Sequence, residues 1–147
     1  MVRLLHPYFP NVKKRLVASP KVYIRDSGIL HSLAGIGTYE DLINQLLVGH
    51  SWEGFVIEQI MSVLDDRWDY SYYRTATQVE LDLVLQTPFG ETWALEIKRT
   101  NNPKLSRGFY EACQDVGAKR SFVLCAGVEH QMLSRNVELI GLLDLIK

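Results

Sequence analysis

Two apolar runs, each broken by isolated charges, constrain this chain more than any other feature. Residues 79–86 read VELDLVLQ and residues 92–98 read TWALEIK, with Pro88-Phe89-Gly90 between them. Such runs on either side of a turn signal predict a β-hairpin. If Phe89 lies at its centre, Asp82 falls opposite Glu96. Opposed residues share a face, with Cβ atoms about 4.5–5.5 Å apart. Two carboxylates placed this way repel each other unless a cation lies between them. Lys98, two residues beyond Glu96, shares the same face. Alternation leaves two readings open: a polar face that meets water, or a cluster of charges with a job to do.

The segment before the hairpin bears on that choice. Residues 50–64, HSWEGFVIEQIMSVL, predict an amphipathic helix. On a wheel of about 100° per residue, Trp52, Val56, Ile60, Val63 and Leu64 form the apolar stripe. Glu53 falls inside the stripe. Glu58 falls opposite, with Gly54 and Ser62. A core-facing glutamate is costly unless it is protonated, bound to metal, or paired with a lysine or arginine at the edge of the core. Glu53, Asp82 and Glu96 thus supply carboxylate oxygens of the kind that Mg²⁺ or Mn²⁺ prefers, with Lys98 beside them.

The rest of the chain reads as one domain. Residues 1–20 hold Pro7, Pro10, Pro20 and the basic cluster Lys13-Lys14-Arg15, and predict an irregular arm. A short strand is expected over 21–25. Asp26-Ser27 caps a helix to Leu33, and Gly35-Ile36-Gly37 is a turn rather than a phosphate loop. Thr38 with Asp41 resembles a capping box and starts a helix to about Val48. Further strands are expected over 69–74 and 121–126, with a weaker one over 137–140. A helix over 105–117 puts Leu105, Phe109, Ala112, Cys113 and Val116 on one face and stops at Gly117. From Gly49 the order is helix, three strands, helix, strand: a mixed α/β domain with one meander and one crossover. Residues 1–48 are expected to form an extension packed on a core of residues 49–147.

Composition limits the function. The 147 residues are 47% hydrophobic and 22% charged, ordinary for a globular domain. The net charge of −1 gives no overall positive field, so nucleic acid would have to meet a local basic patch. Arg74, Arg99 and Lys104 are candidates to bind substrate phosphate. Arg74 could equally pair with a nearby carboxylate. Two cysteines without C-x-x-C spacing suit a reducing cytosol, and no signal peptide or bilayer-length apolar run is read. The four histidines show no zinc spacing. There is no G-x-S-x-G, and no Walker A motif G-x-x-x-x-G-K-[ST], so no ATP site is expected in this chain.

ELDLVL, the gap from Asp82 to Glu96, and EIK resemble the PD-(D/E)XK nuclease superfamily. Leu81 stands where that motif has its proline. The resemblance implies a restriction-endonuclease-like αβββαβ core over residues 50–126. It also implies a Mg²⁺- or Mn²⁺-dependent nuclease acting on DNA. Asp82 and Glu96 would hold metal with the Ile97 carbonyl, Glu53 would assist directly or through water, and Lys98 would position the attacking water. PKVYIRDSGILHSLAG, GHSWEGFVIEQI, YYRTATQVELDLVL and ALEIKRT together resemble the C-terminal DUF4143 domain of a prokaryotic AAA-type ATPase family. That resemblance implies an ATPase domain as a partner. The other expectation it leaves is a nuclease fold without catalysis, serving as a DNA- or protein-binding module.

Overall fold

The Pro88–Gly90 turn closes as its residues predict. Gly90 adopts φ +81°, and the Gly90 and Glu91 amides donate to the Thr87 carbonyl and the Thr87 hydroxyl. Only glycine enters that backbone region without strain. In this computed structural model, which describes residues 1–147, the turn joins β4 (Glu80–Gln86) to β5 (Thr92–Ile97). The register sets Leu83 opposite Leu95 and Leu85 opposite Trp93, as a turn centred on Phe89 requires. β3 (Asp69–Arg74) lies antiparallel on the other side of β4.

After β5 the chain crosses through α4 (Arg107–Asp115) to β6 (Arg120–Cys125), which runs parallel to β5. α4 is capped by the Ser106 hydroxyl, which accepts from the Phe109 amide, and Gly117 at φ +64° turns the chain away. β7 (Gln131–Ser134) and β8 (Val137–Gly141) follow, then a single turn of helix, α5 (Leu142–Leu145). The sheet order is β3-β4-β5-β6-β8-β7. The fold is mixed α/β, and its middle portion runs α3, β3, β4, β5, α4, β6. Here α3 spans Leu47–Val63.

The sheet is covered on both faces. On one, Val56, Ile57 and Ile60 of α3 pack with Leu83, Leu85, Leu95, Phe122 and Leu124. On the other, Phe109, Ala112 and Val116 of α4 pack with Leu81, Val84, Ala94 and Val123. In a regular strand Leu81 and Leu83 would share a face. They lie in different clusters because the β3–β4 register slips between Ser71 and Tyr73. A bulge of this kind turns a strand locally and redirects a side chain. Asp82 and Leu83 are the two residues at the slip, set against the single residue Tyr72.

Several expectations need correction. Residues 1–20 are not wholly irregular: β1 (Val2–Leu5) pairs antiparallel with β2 (Lys21–Ile24). After α1 (Ser27–Leu33), the helix begun by Thr38 does not reach Val48; α2 covers Tyr39–Ile43, and α3 starts afresh at Leu47. The capping box itself is present, with both Thr38–Asp41 hydrogen bonds made. The strand at 137–140 is not weak, being buried throughout between β6 and β7.

The α3 wheel errs on one side. Gly54, assigned to the polar face, is buried against Tyr23, and Val63, assigned to the apolar stripe, is exposed. The cause is tertiary: β1 and β2 lie over the face that periodicity alone leaves to water. Glu58 is half-buried there between Arg3 and Arg25, which both donate to it. The N-terminal segment also lines the outer edge of β3. Tyr72 exchanges backbone hydrogen bonds with His6 and Tyr8, and Val17 donates to Arg74. An otherwise open sheet edge is thereby covered. No helix is long and apolar enough to cross a membrane.

Candidate functional site: an acidic cleft

The regular β4–β5 ladder stops at Leu83 and Leu95. Asp82, one residue beyond, does not continue it opposite Glu96. Its Oδ2 instead accepts a hydrogen bond of 2.8 Å from the Ile97 amide. The two strands part here, and α3 lays its N-terminal half across the gap. The resulting cleft of about 360 Å³ is lined by Gly49, Glu53, Glu80, Asp82, Glu96, Ile97 and Lys98.

Sequence reasoning singled out Glu53, Asp82, Glu96, Ile97 and Lys98, and all five line this cleft. It missed Glu80, Lys21 and Tyr23. The ammonium of Lys21 lies 2.5 Å from Glu80, 3.1 Å from Glu53 and 3.7 Å from Asp82. It also sits 5.3 Å from the centre of the Tyr72 ring, in reach of a cation–π contact. The Tyr23 hydroxyl donates to the same Glu53 oxygen, Oε1, leaving Oε2 without a hydrogen-bond partner. Of the possible fates of a core-facing Glu53, the ion pair with a core-edge lysine is the one present. Glu80 carried a faint signal, since it stands two residues before Asp82 in a strand. Lys21 carried none, because its role depends on β2 lying beside residues far along the chain.

Glu96 pairs with Lys98 at 2.6 Å. Lys98 is also fixed through its backbone: its amide donates to Leu124, and its carbonyl accepts from the Trp52 indole at 3.2 Å. Arg74 lies at the rim, 3.5 Å from Glu80, with a guanidinium nitrogen donating to Gln78 at 2.5 Å. The paired reading of Arg74 therefore holds in this state. Arg99 and Lys104 are exposed. Arg99 borders a separate, mainly apolar cavity, also of about 360 Å³, with Trp52, Phe55, Tyr39 and Leu42. In the basic cluster, Lys14 is tied to Glu111 and Asp115 of α4.

The electrostatics follow from burial and crowding. Burial pushes the Asp82 carboxyl up, Glu53 and Glu96 push it further, and it reaches about 8. Glu96 is raised as well, chiefly by burial, although Lys98 opposes this. For Lys21 burial is the largest influence and favours the neutral amine, but Glu53, Asp82 and Glu80 together outweigh it and raise the ammonium above its usual range. The cleft is thus short of positive charge even with Lys21 and Lys98 in place. No three carboxylate, histidine or cysteine side chains are drawn round one point as a finished metal cage.

The molecule is a mixed α/β domain whose sheet-end cleft is lined by four carboxylates and Lys98, with Lys21 behind the carboxylates. Its family can be stated too. Residues 48–145 match the family described as Domain of unknown function (DUF4143), and the chain belongs to that family. Residues 1–40 match a second one, Domain of unknown function (DUF8612). An uncharacterized protein of Mycobacterium tuberculosis and one of Mycobacterium bovis are each 41% identical over 137 residues. That alignment takes in 93% of this chain but 31% of either relative, so the chain spans about a third of their length. No solved structure matches.

Proposed function

We propose that the acidic cleft is the active site of a metal-dependent nuclease of the PD-(D/E)XK kind, hydrolysing phosphodiester bonds in DNA. The observation that carries this reading is the gathering of Glu53, Asp82, Glu96 and Lys98 from a helix and two strands into one cleft. The order α3, β3, β4, β5, α4, β6 supports it, because it follows the αβββαβ order of restriction-endonuclease-like cores.

The donors suit Mg²⁺ or Mn²⁺ in kind: all are oxygens, and burial, with Glu53 and Glu96 alongside, holds Asp82 up at about 8 although Lys21 opposes it. Asp82, Glu96 and the Ile97 carbonyl would hold the ion, with Glu53 assisting directly or through a water. Once bound, the ion supplies charge stabilisation for a phosphoryl oxygen and lowers the pKa of water. Lys98, freed from Glu96, orients the attacking water and stabilises the developing negative charge. Arg74 beside Glu80, with the exposed Arg99 and Lys104, takes DNA phosphates. The domain would act as an appendage of an AAA-type ATPase, with the ATP site outside these residues.

The test is cleavage of several DNA forms by the purified protein with and without Mg²⁺ or Mn²⁺. Asp82→Asn and Lys98→Ala are each expected to lower cleavage about 100-fold or more. Cleavage unchanged in either variant overturns the assignment. A second reading, a nuclease-fold module that binds DNA or protein without cutting, is favoured by two facts. Lys98 in the cleft and Lys21 behind it already have carboxylate partners, and the net charge is −1. It expects retained binding, no cleavage, and no calorimetric response to Mn²⁺ that depends on Asp82.

A further inference from the structure

Lys21 lies on the far side of the carboxylate group from the cleft. It contacts Glu53 and Glu80 at hydrogen-bond distance and Asp82 at 3.7 Å, but it is absent from the cleft lining. Its side chain is 18% exposed, so the ammonium is held inside the protein. The same Glu53 oxygen is also gripped by the Tyr23 hydroxyl from the same strand. β2 therefore delivers a built cradle on one side of the acidic group. On the other side, Asp82 and Glu96 face open space.

A count of charges points the same way. Glu53, Glu80, Asp82 and Glu96 bring four negative charges when ionised. Lys21, in contact with three of them, and Lys98 and Arg74, each in contact with one, bring three positive charges. The remaining single negative charge, with one divalent ion added, becomes a single positive charge. A phosphodiester carries one negative charge and neutralises it. A second divalent ion beside that phosphodiester would leave an excess of two positive charges in a half-buried site, with no further carboxylate in the cleft lining to balance them.

We infer that Lys21 is a resident second cation, which fixes Glu53 and Glu80 and leaves Asp82 and Glu96 to take a single divalent ion. The inference rests on the nuclease reading of the cleft and specifies how many ions that site accepts. Lys21 is then a positioning residue: it acts on the carboxylates and not on the reacting atoms. Glu53 keeps Oε2 free toward the ion or its water, while Oε1 is held by Lys21 and Tyr23.

The experiment is calorimetric titration of the full chain with Mn²⁺ alone, for the wild type, Lys21→Gln and Lys21→Arg. One ion per chain is expected for the wild type and Lys21→Arg, and two for Lys21→Gln. If Lys21→Gln does not fold alone, it is expected to fold with Mn²⁺ and carry two ions. Two ions on the wild type, or one on Lys21→Gln, overturns the role given to Lys21 and leaves the metal site standing. Failure of Lys21→Gln to fold even with Mn²⁺ overturns it as well. An ion bound only by Lys21→Gln makes Lys21 a replacement for the metal and overturns the single-ion site. No ion on any of the three overturns the metal site itself.

Discussion

Asp82 is the residue on which most forces meet. Its carboxyl is buried, sits beside two other carboxylates, and is held at about 8. An acid raised in the folded state binds its proton more tightly there than in the unfolded chain. Its contribution to stability is therefore full below the unfolded value near 4, and is lost as pH rises through about 8. Metal-free protein is expected to lose thermal stability between pH 5 and pH 8, measured by circular dichroism. Asp82→Asn should flatten that slope and raise Tm at pH 8, by about 2–4 °C for each kcal/mol of repulsion removed. A slope that is unchanged in Asp82→Asn would place the destabilising charge elsewhere. At this scale the sequence was partly legible. Asp82, Glu96 and Lys98 stood out because a charge inside an apolar strand demands a partner. Glu53 stood out because helical periodicity turned it inward. Lys21 and Tyr23 were invisible, since nothing local marks a strand residue that will meet a helix thirty residues later.

Among the elements, α3 shows most clearly how context overrides periodicity. Its length and its inner face follow from the spacing of Val56, Ile60 and their neighbours. Its outer face does not, because β1 and β2 cover it. Gly54 records that cover: a Cβ added there would come within 3.1 Å of the Tyr23 ring. Gly54→Ala is expected to be nearly neutral, since the gain in helix propensity of about 1 kcal/mol offsets a tight contact. Gly54→Val should destabilise by about 1–3 kcal/mol through overpacking, read as a lower urea midpoint at constant m value. Because Tyr23 also grips Glu53, Gly54→Val should weaken Mn²⁺ binding too. An unaltered midpoint in Gly54→Val would mean that Tyr23 does not press on α3 at this point. The hairpin turn and α4 are the opposite case. Pro88-Phe89-Gly90, Ser106 and Gly117 do their work through local backbone chemistry, so they could be read directly.

For the whole molecule, the N-terminal segment is structural rather than an appendage. It buries Leu5 and Tyr23 against α3, places Arg3 and Arg25 on Glu58, and pairs with the edge of β3. A chain limited to residues 48–147 is expected to lose cooperative unfolding and to self-associate, measured by near-ultraviolet circular dichroism and size-exclusion chromatography. Cooperative unfolding equal to that of the full chain would reduce the segment to a cover. The same arrangement has a consequence in time. During synthesis β1 and β2 leave the ribosome well before the helix and strands they are built to meet. Leu5 and Tyr23 then have no surface to pack on, and Lys21 has no anions to hold. The hairpin must wait for α3 and β3, and the cleft for β5 after them. The acidic cleft is expected to take shape only after β5 has emerged, long after the Lys21 and Tyr23 that hold one side of it.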